Sequence, residues 1–329
     1  MAVSFLLPGE DRMNKGLSID RKKVWVAGHK GMLGSALIRE LKEYDCDILT
    51  VEKNQLDLIN QAEVERWIKD NLPEVIFIAA ARVGGIEANN KFPAEFLYQN
   101  LMIQTNIIHS AFLNSIPRVV YFGSSCSYPK FADQPIAEES LLTGIPEMTN
   151  LYYSIAKIAG MKMTEAYSKQ YGTKFISIAP ANAYGPGDNF NPDSSHVIPA
   201  MLRKFDEALK AKRKSVTFWG SGEPLREFLY IDDLAKASIF LAQNYFESEH
   251  INVGSGIETS VKDLATIIAE IVGYDGEVNF DTSKPDGMPR KLLDSSKITK
   301  MAWKPKVSLL DGISKTYDWY KNNKSSLRN

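Results

Sequence analysis

The stretch from Val24 to Tyr44 restricts the possible folds more than any other part of the chain. Val24-Trp25-Val26-Ala27 is a short apolar run preceded by charge. Gly28-His29-Lys30-Gly31-Met32-Leu33-Gly34 follows, and residues 35–44 have the apolar spacing of an amphipathic helix. The order is strand, glycine turn, helix. Glycines three residues apart let the backbone turn tightly and approach a diphosphate, which then sits on the helix N-terminus. A plain tight turn uses glycine too, so the rest of the chain must decide.

The rest of the chain alternates. Residues 46–51 read as a second strand, 61–71 as a helix closed by Pro73, and 75–81 as a buried strand. A long helix is expected over 92–114, a buried strand over 119–123, a second long helix over 150–171 and a strand over 175–179. Strands alternating with helices specify a doubly wound parallel sheet of Rossmann type, whose ligands bind beyond the carboxyl ends of the strands. Gly28, Ala81 and Ser124 all fall at that edge. At the end of the second strand, Glu52 suits a ribose 2′-hydroxyl, whereas Lys53 and Lys30 suit a 2′-phosphate, so NAD and NADP both remain open. Beyond residue 180 the pattern loosens, with helices expected over 197–210, 233–243 and 261–272 and short strands over 216–219 and 278–280. The expected division is an N-terminal extension over 1–21, a dinucleotide-binding domain over 22–180, and a smaller substrate-binding lobe over 181–329 interleaved with the sheet.

Charge and cysteine content narrow the class. The formal net charge is -1, which suggests neither nucleic acid nor an anionic membrane as a bulk partner. No apolar run reaches the roughly 18–20 residues of a membrane span. Cys46 and Cys126 form neither a disulfide framework nor a zinc-ligand spacing, so no metal is expected and a reducing cytoplasm is the default.

Candidate chemistry lies in Asn150-Leu-Tyr-Tyr-Ser-Ile-Ala-Lys157. Tyr153 and Lys157 lie one helical turn apart, and an ammonium there is expected to lower the phenol's pKa and let it exchange protons near neutrality. Ser124, just past a parallel strand, can hydrogen-bond a substrate carbonyl oxygen. Together the three make a carbonyl-reducing set: serine aligns the oxygen, tyrosine gives the proton, and lysine holds the cofactor ribose.

With these residues the chain resembles the extended short-chain dehydrogenase/reductases, within them the enzymes that epimerise and reduce GDP-4-keto-6-deoxy sugars. The resemblance is carried by Ala27–Ser35, Ala80-Ala81-Arg82-Val83-Gly84-Gly85-Ile86, Gly123-Ser124-Ser125-Cys126-Ser127-Tyr128-Pro129, Tyr184-Gly185-Pro186-Gly187-Asp188-Asn189-Phe190, Ser195-His196-Val197-Ile198-Pro199-Ala200, Arg226-Glu227-Phe228-Leu229 and Asp281–Gly287, and spans about 22–319. It implies NADPH as cofactor, with NAD the weaker candidate. It places Gly28, His29, Lys30, Gly31, Met32, Leu33, Gly34, Lys53, Ala81, Phe122, Gly123, Ser125, Lys157, Pro180, Asn182 and His196 at the cofactor. It adds Cys126 and His196 to Ser124, Tyr153 and Lys157 as catalytic residues, forming the acid/base pair of epimerisation. Substrate contacts are implied at Lys204 and Arg226, facing the diphosphate, and at Trp219 and Asp286. A homodimer packed through the two long helices is implied as well. Action on another GDP-4-keto sugar (a heptose or a 3,6-dideoxyhexose), C4 reduction alone, and a non-catalytic NADP-binding sensor or scaffold stay open.

Overall fold

The computed structural model describes residues 16–192, 194–284 and 286–324. The expected extension lies mostly outside them. Its last part, however, packs onto the fold: Leu17 N donates to Gln243 O at 2.8 Å, and Ile19 is fully buried. The ordered core therefore begins before residue 22.

The first half builds one parallel sheet. β1 (Lys23–Ala27) leads through the glycine turn into α1 (Met32–Leu41), then β2 (Asp47–Leu49), α2 (Gln61–Asn71) and β3 (Val75–Ile78). A short α3 (Ile86–Lys91), the long α4 (Pro93–Leu113), β4 (Arg118–Phe122), the long α5 (Leu151–Tyr171) and β5 (Lys174–Pro180) follow. β3 and β4 are buried along their whole length, and β1 from Val24 onward, which is why they read as continuous apolar runs. Asn60 starts α2, its side chain accepting from Glu63 N, while α5 stops at Gly172, whose φ of +66° a side chain would disfavour.

The second half is a smaller lobe of short pieces: β6 (Asn182–Tyr184), α6 (Val197–Lys210), β7 (Ser215–Trp219), β8 (Leu225–Tyr230), α7 (Ile231–Asn244), β9 (Ile251–Val253), β10 (Glu258–Ser260), α8 (Val261–Val272), β11 (Glu277–Asp281), β12 (Arg290–Lys291), α9 (Ser296–Lys300) and α10 (Leu309–Asn322). β8 pairs with β6, β10 and β12, and β7 pairs with β11. Phe190, Phe205, Phe218, Tyr230 and Leu264 belong to this lobe's own core.

Two elements cross back. The large sheet has the order β2-β1-β3-β4-β5-β9, parallel throughout, so β9 is its last strand. α7 packs on α1 and is tied to the sheet by the buried Arg118, which donates to the C-terminal carbonyls of Leu241 and Ala242 at 2.8 Å. On the other side α4 packs against α5 and α2. Strand order reverses between β1 and β3, the point in such sheets where a crevice opens for a dinucleotide. Among the described residues, no helix is long and apolar enough to cross a membrane.

Candidate active site

The crevice starts at the glycine turn. Gly28 has φ +86°, and a Cβ there would come within 2.6 Å of the Ala80 backbone. A Cβ on Gly34 would run into the Gly28 carbonyl. Turn, β3 and α1 are thus in backbone contact, and this packing ends β3 at Ile78 rather than at the expected residue 81. Gly31 begins α1 with no side-chain cap, and the first turn carries no acidic residue. The leading amides, at Met32 and Leu33, are left for an anion. This glycine cradle fits the diphosphate of a dinucleotide.

At the neighbouring strand end, Glu52 accepts from Lys30 at 2.6 Å and lies 3.5 Å from His29 Nε2. The hydrogen bond from Lys30 holds this carboxyl below its usual range. Lys53 is exposed beside it. Across the crevice, Asn100 of α4 pins the loop after β3: its side chain accepts from Arg82 N at 2.8 Å and donates to Arg82 O at 3.0 Å, which fixes Ala81.

β4 delivers the reactive groups. Gly123 N donates to Ile178 O at 2.8 Å, and Ser124 then caps a tight 3-10 turn, its Oγ accepting from Cys126 N at 3.1 Å. α5 begins opposite. Ser154 Oγ donates to Cys126 O at 2.9 Å, stitching this helix to the cysteine turn. Tyr153 is thereby set beside Ser124 and Cys126. Burial pushes its phenol well above the ordinary value and a charge on Cys126 adds to this, while a hydrogen bond with Ser124 opposes both.

That corrects the expectation for the Tyr153–Lys157 pair. Lys157 is 4% exposed and donates to Phe122 O at 2.7 Å, with its ammonium 5.8 Å from the Tyr153 ring centre. Its hydrogen bond goes to that carbonyl rather than to the phenol, and burial is the largest influence on Tyr153. The same burial lowers Lys157 itself to about 7.

Cys126 is shifted the other way. Burial raises its thiol, but this is outweighed by Lys291, whose Nζ lies 3.2 Å from Sγ, by the Ser124 hydroxyl and by Arg226. Lys291 carries no signal in the sequence. It reaches the site because β12 pairs with β8, which sets Lys291 beside Arg226. His196 stands at the start of α6 on the wall of the cleft, accessible to solvent yet closely surrounded by protein. Desolvation and the charge of Lys291 lower its imidazole below the ordinary value. A backbone bond from Gly85 N to Ser194 O at 2.9 Å joins the loop before α3 to this wall.

The remaining predicted residues divide. Arg226 faces both Cys126 and Asp286, and burial lowers its guanidinium against the pull of those two charges. Asp286 accepts from Ser221 N at 2.9 Å and from Ser221 Oγ at 2.7 Å. Trp219 is 72% exposed, with Lys284 stacked 5.8 Å over it. Lys204 is directed onto β7, donating to Thr217 O and lying 5.0 Å over the Phe218 ring. Asn182 spends its amide on Glu227 O at 2.9 Å, Ser125 is buried, and Pro180 ends β5.

A parallel sheet with a glycine cradle at its switch point, and a serine, a tyrosine and a lysine at the same edge, defines a dinucleotide-dependent enzyme of the short-chain dehydrogenase type. Residues 24–254 match the model of the NAD dependent epimerase/dehydratase family, and the chain belongs to that family. At closer range it is 50% identical over 305 residues to the GDP-L-fucose synthase of Sinorhizobium fredii, covering 93% of this chain and 97% of the relative. Among solved structures it is similar to an NADP-bound GDP-L-fucose synthetase from Naegleria fowleri (TM-score 0.89, 25% identity, 96% and 99% covered). It is also similar to a GDP-6-OMe-4-keto-L-xylo-heptose reductase from C. jejuni (TM-score 0.87, 38% identity, 94% and 99% covered).

Proposed function

We propose that this chain is an NADPH-dependent epimerase/reductase that converts GDP-4-keto-6-deoxy-D-mannose to GDP-L-fucose by inverting C3 and C5 and reducing C4. The observation that carries this is the meeting of a cationically held thiol, Cys126, with Ser124 and Tyr153. A C4 reductase has no need of a thiol, whereas inversion next to a carbonyl needs a base on one face and an acid on the other. Cys126 and His196 fill those roles. The electron pair of the broken C–H bond moves onto the C4 oxygen, where Ser124 and Tyr153 stabilise it. When bound, NADPH supplies the hydride for C4, and Tyr153 then gives the oxygen its proton. The high phenol pKa suits a proton donor, since it keeps the proton in place until the alkoxide forms.

Gly28, Gly31 and Gly34, with the first amides of α1, would hold the cofactor diphosphate. Lys157 would hold the ribose. Lys30, His29 and Lys53 would meet a 2′-phosphate, a reading supported by the NADP-bound amoebal relative. Arg226, Asp286 and Trp219 would face the GDP-sugar from the small lobe, with Lys204 turning from Thr217 to join them. Exposed apolar side chains on both long helices (Tyr98, Leu113, Tyr152, Ile155 and Tyr171) support a homodimer packed there, which light scattering would test. Two free thiols fit a reducing cytoplasm.

A second reading, action on another GDP-4-keto sugar, is favoured by the likeness to the C. jejuni heptose reductase. NMR analysis of products from GDP-4-keto-6-deoxy-D-mannose and NADPH in deuterated water decides between them. GDP-L-fucose labelled at C3 and C5 supports the first reading. A reduced, unlabelled sugar sinks it, and tight cofactor binding without turnover would leave a non-catalytic binder. The ratio of kcat/KM for NADPH and NADH settles the cofactor.

A further inference from the structure

We propose that the Lys291 ammonium is the counter-ion that keeps the Cys126 sulfur ionised, making Lys291 a positioning residue for proton abstraction. This rests on the reading of Cys126 as an acid/base residue.

Lys291 is 8% exposed. A buried ammonium is costly unless an anion faces it. Among the described residues Lys291 has no carboxylate within ion-pair distance, and its hydrogen bond goes to Cys126 Sγ at 3.2 Å. The sulfur is thus the anion this lysine faces. The placement is built rather than incidental. On one side Arg290 forks onto Glu258 with two bonds of 2.7 Å. On the other, Leu292 N donates to Gln134 at 2.9 Å and Leu293 N to Glu227 at 3.0 Å. A strand of two residues, pinned on both flanks, aims one side chain at the thiol.

The charges around Cys126 come from every packed element. β12 gives Lys291 and β8 gives Arg226, itself shared with Asp286. α5 gives the neutral phenol of Tyr153, and the turn after β4 the Ser124 hydroxyl. His196, at the start of α6, lies within the field of Lys291. Lys157 is committed to Phe122 O, on the phenol side. The site therefore holds two buried lysines with separate duties, Lys157 beside Tyr153 for reduction and Lys291 beside Cys126 for inversion.

The proton balance follows. The free thiol gives its proton to solvent and is held as thiolate by Lys291. The thiolate takes the proton from the carbon next to the carbonyl and becomes a thiol, while the C–H electron pair passes to the C4 oxygen. His196, carrying a proton taken from solvent, gives it to the opposite face as the electron pair on the C4 oxygen returns to carbon and re-forms the C–H bond. The thiol then loses its proton to solvent and His196 takes up another. Nothing is oxidised or reduced in these steps.

The deciding titration is made without substrate, so that a role of Lys291 in holding substrate would not register in it; exchange is measured separately with substrate. In a Cys46→Ser background, thiolate absorbance at about 240 nm and the rate of iodoacetamide alkylation are followed against pH for the parent, Lys291→Met, Lys291→Gln and Lys291→Arg proteins. A Cys46→Ser/Cys126→Ser protein sets the baseline, and NADPH binding verifies each fold. Lys291→Met and Lys291→Gln should move the ionisation to higher pH and slow alkylation at pH 7 by about tenfold or more, with Lys291→Arg retaining most of the parent rate. Solvent exchange at C3 and C5 should fall in step, its acid limb moving up in pH. An ionisation unchanged by both neutral substitutions overturns the proposal, whatever happens to exchange. Exchange that persists in Cys126→Ser overturns the underlying reading of the cysteine instead, whatever the titration shows.

Discussion

The two edges of the large sheet each carry a cysteine, and they treat it in opposite ways. Cys46 lies at the amino edge, just before β2, and Cys126 at the carboxyl edge, just after β4. Both are free and partly buried. Around Cys46, burial and then Asp20, Asp45 and Asp47 raise the thiol's pKa, and its S–H points at Leu41 O. Around Cys126, burial acts in the same direction but Lys291 and Arg226 reverse the result. Burial alone makes a thiol inert, and the sign of the neighbouring charge decides whether it can work. In a parallel sheet the loops that bring such charges converge at the carboxyl edge.

The strongest way to break this contrast is to remove each sulfur in turn. Cys126→Ser should cut solvent exchange at C3 and C5 by about 10²–10⁴-fold, whereas Cys46→Ser should leave turnover within about twofold. Comparable losses in both would erase the distinction between the edges. Next, Tyr153→Phe should lower single-turnover hydride transfer by about 10²-fold or more while NADPH still binds, separating the phenol from the thiol beside it. A smaller effect concerns alkylation. Peptide mapping after iodoacetamide at pH 7 should find Cys126 labelled at least about tenfold faster than Cys46. Smaller again is a stability effect of Lys157. Its folded pKa of about 7 lies below the unfolded value of about 10.4, so between those pH values the unfolded chain binds more protons and stability rises with pH. At about 1.4 kcal/mol per pKa unit the Tm of the free protein should gain roughly 5–10 °C across that window, and Lys157→Met should flatten the gain. Least of all, Asp45→Asn should lower the Cys46 ionisation slightly, visible as less than about a twofold rise in its alkylation rate.

The outline of the sheet was legible because its signals are local. A glycine turn after β1, apolar runs for β3 and β4, and a tyrosine and lysine one turn apart on α5 each lie within a few residues. β8, β10 and β12 were not legible as strands. β10 and β12 are only two or three residues long, β8 carries charge at Arg226 and Glu227 that breaks an apolar run, and their pairing partners lie far away in sequence. Lys291 shows the cost of that. It sits 165 residues from Cys126, in a two-residue strand whose position depends on its pairing with β8 and on pinned flanks. The pKa of Tyr153 escapes the sequence for a different reason. Spacing along a helix shows that two residues can meet, but not that the phenol is buried deeply enough for desolvation to prevail. Ser154 and Asn100, which fix the cysteine turn and the Ala81 loop, look in sequence like ordinary helix polar residues.

The place of β9 has a consequence for how the protein is made. β5 gains its outer neighbour through Ile178, Ala179 and Pro180 pairing with Ile251, Asn252 and Val253. On the ribosome, some seventy residues must be added after β5 before that neighbour exists. Throughout that interval the nascent sheet presents an unpaired apolar edge, the kind of surface that recruits a foreign strand. A fragment ending near residue 180 would keep that edge permanently, so the cofactor half should be soluble only when the chain has been extended through β9 and that strand has returned to cover it.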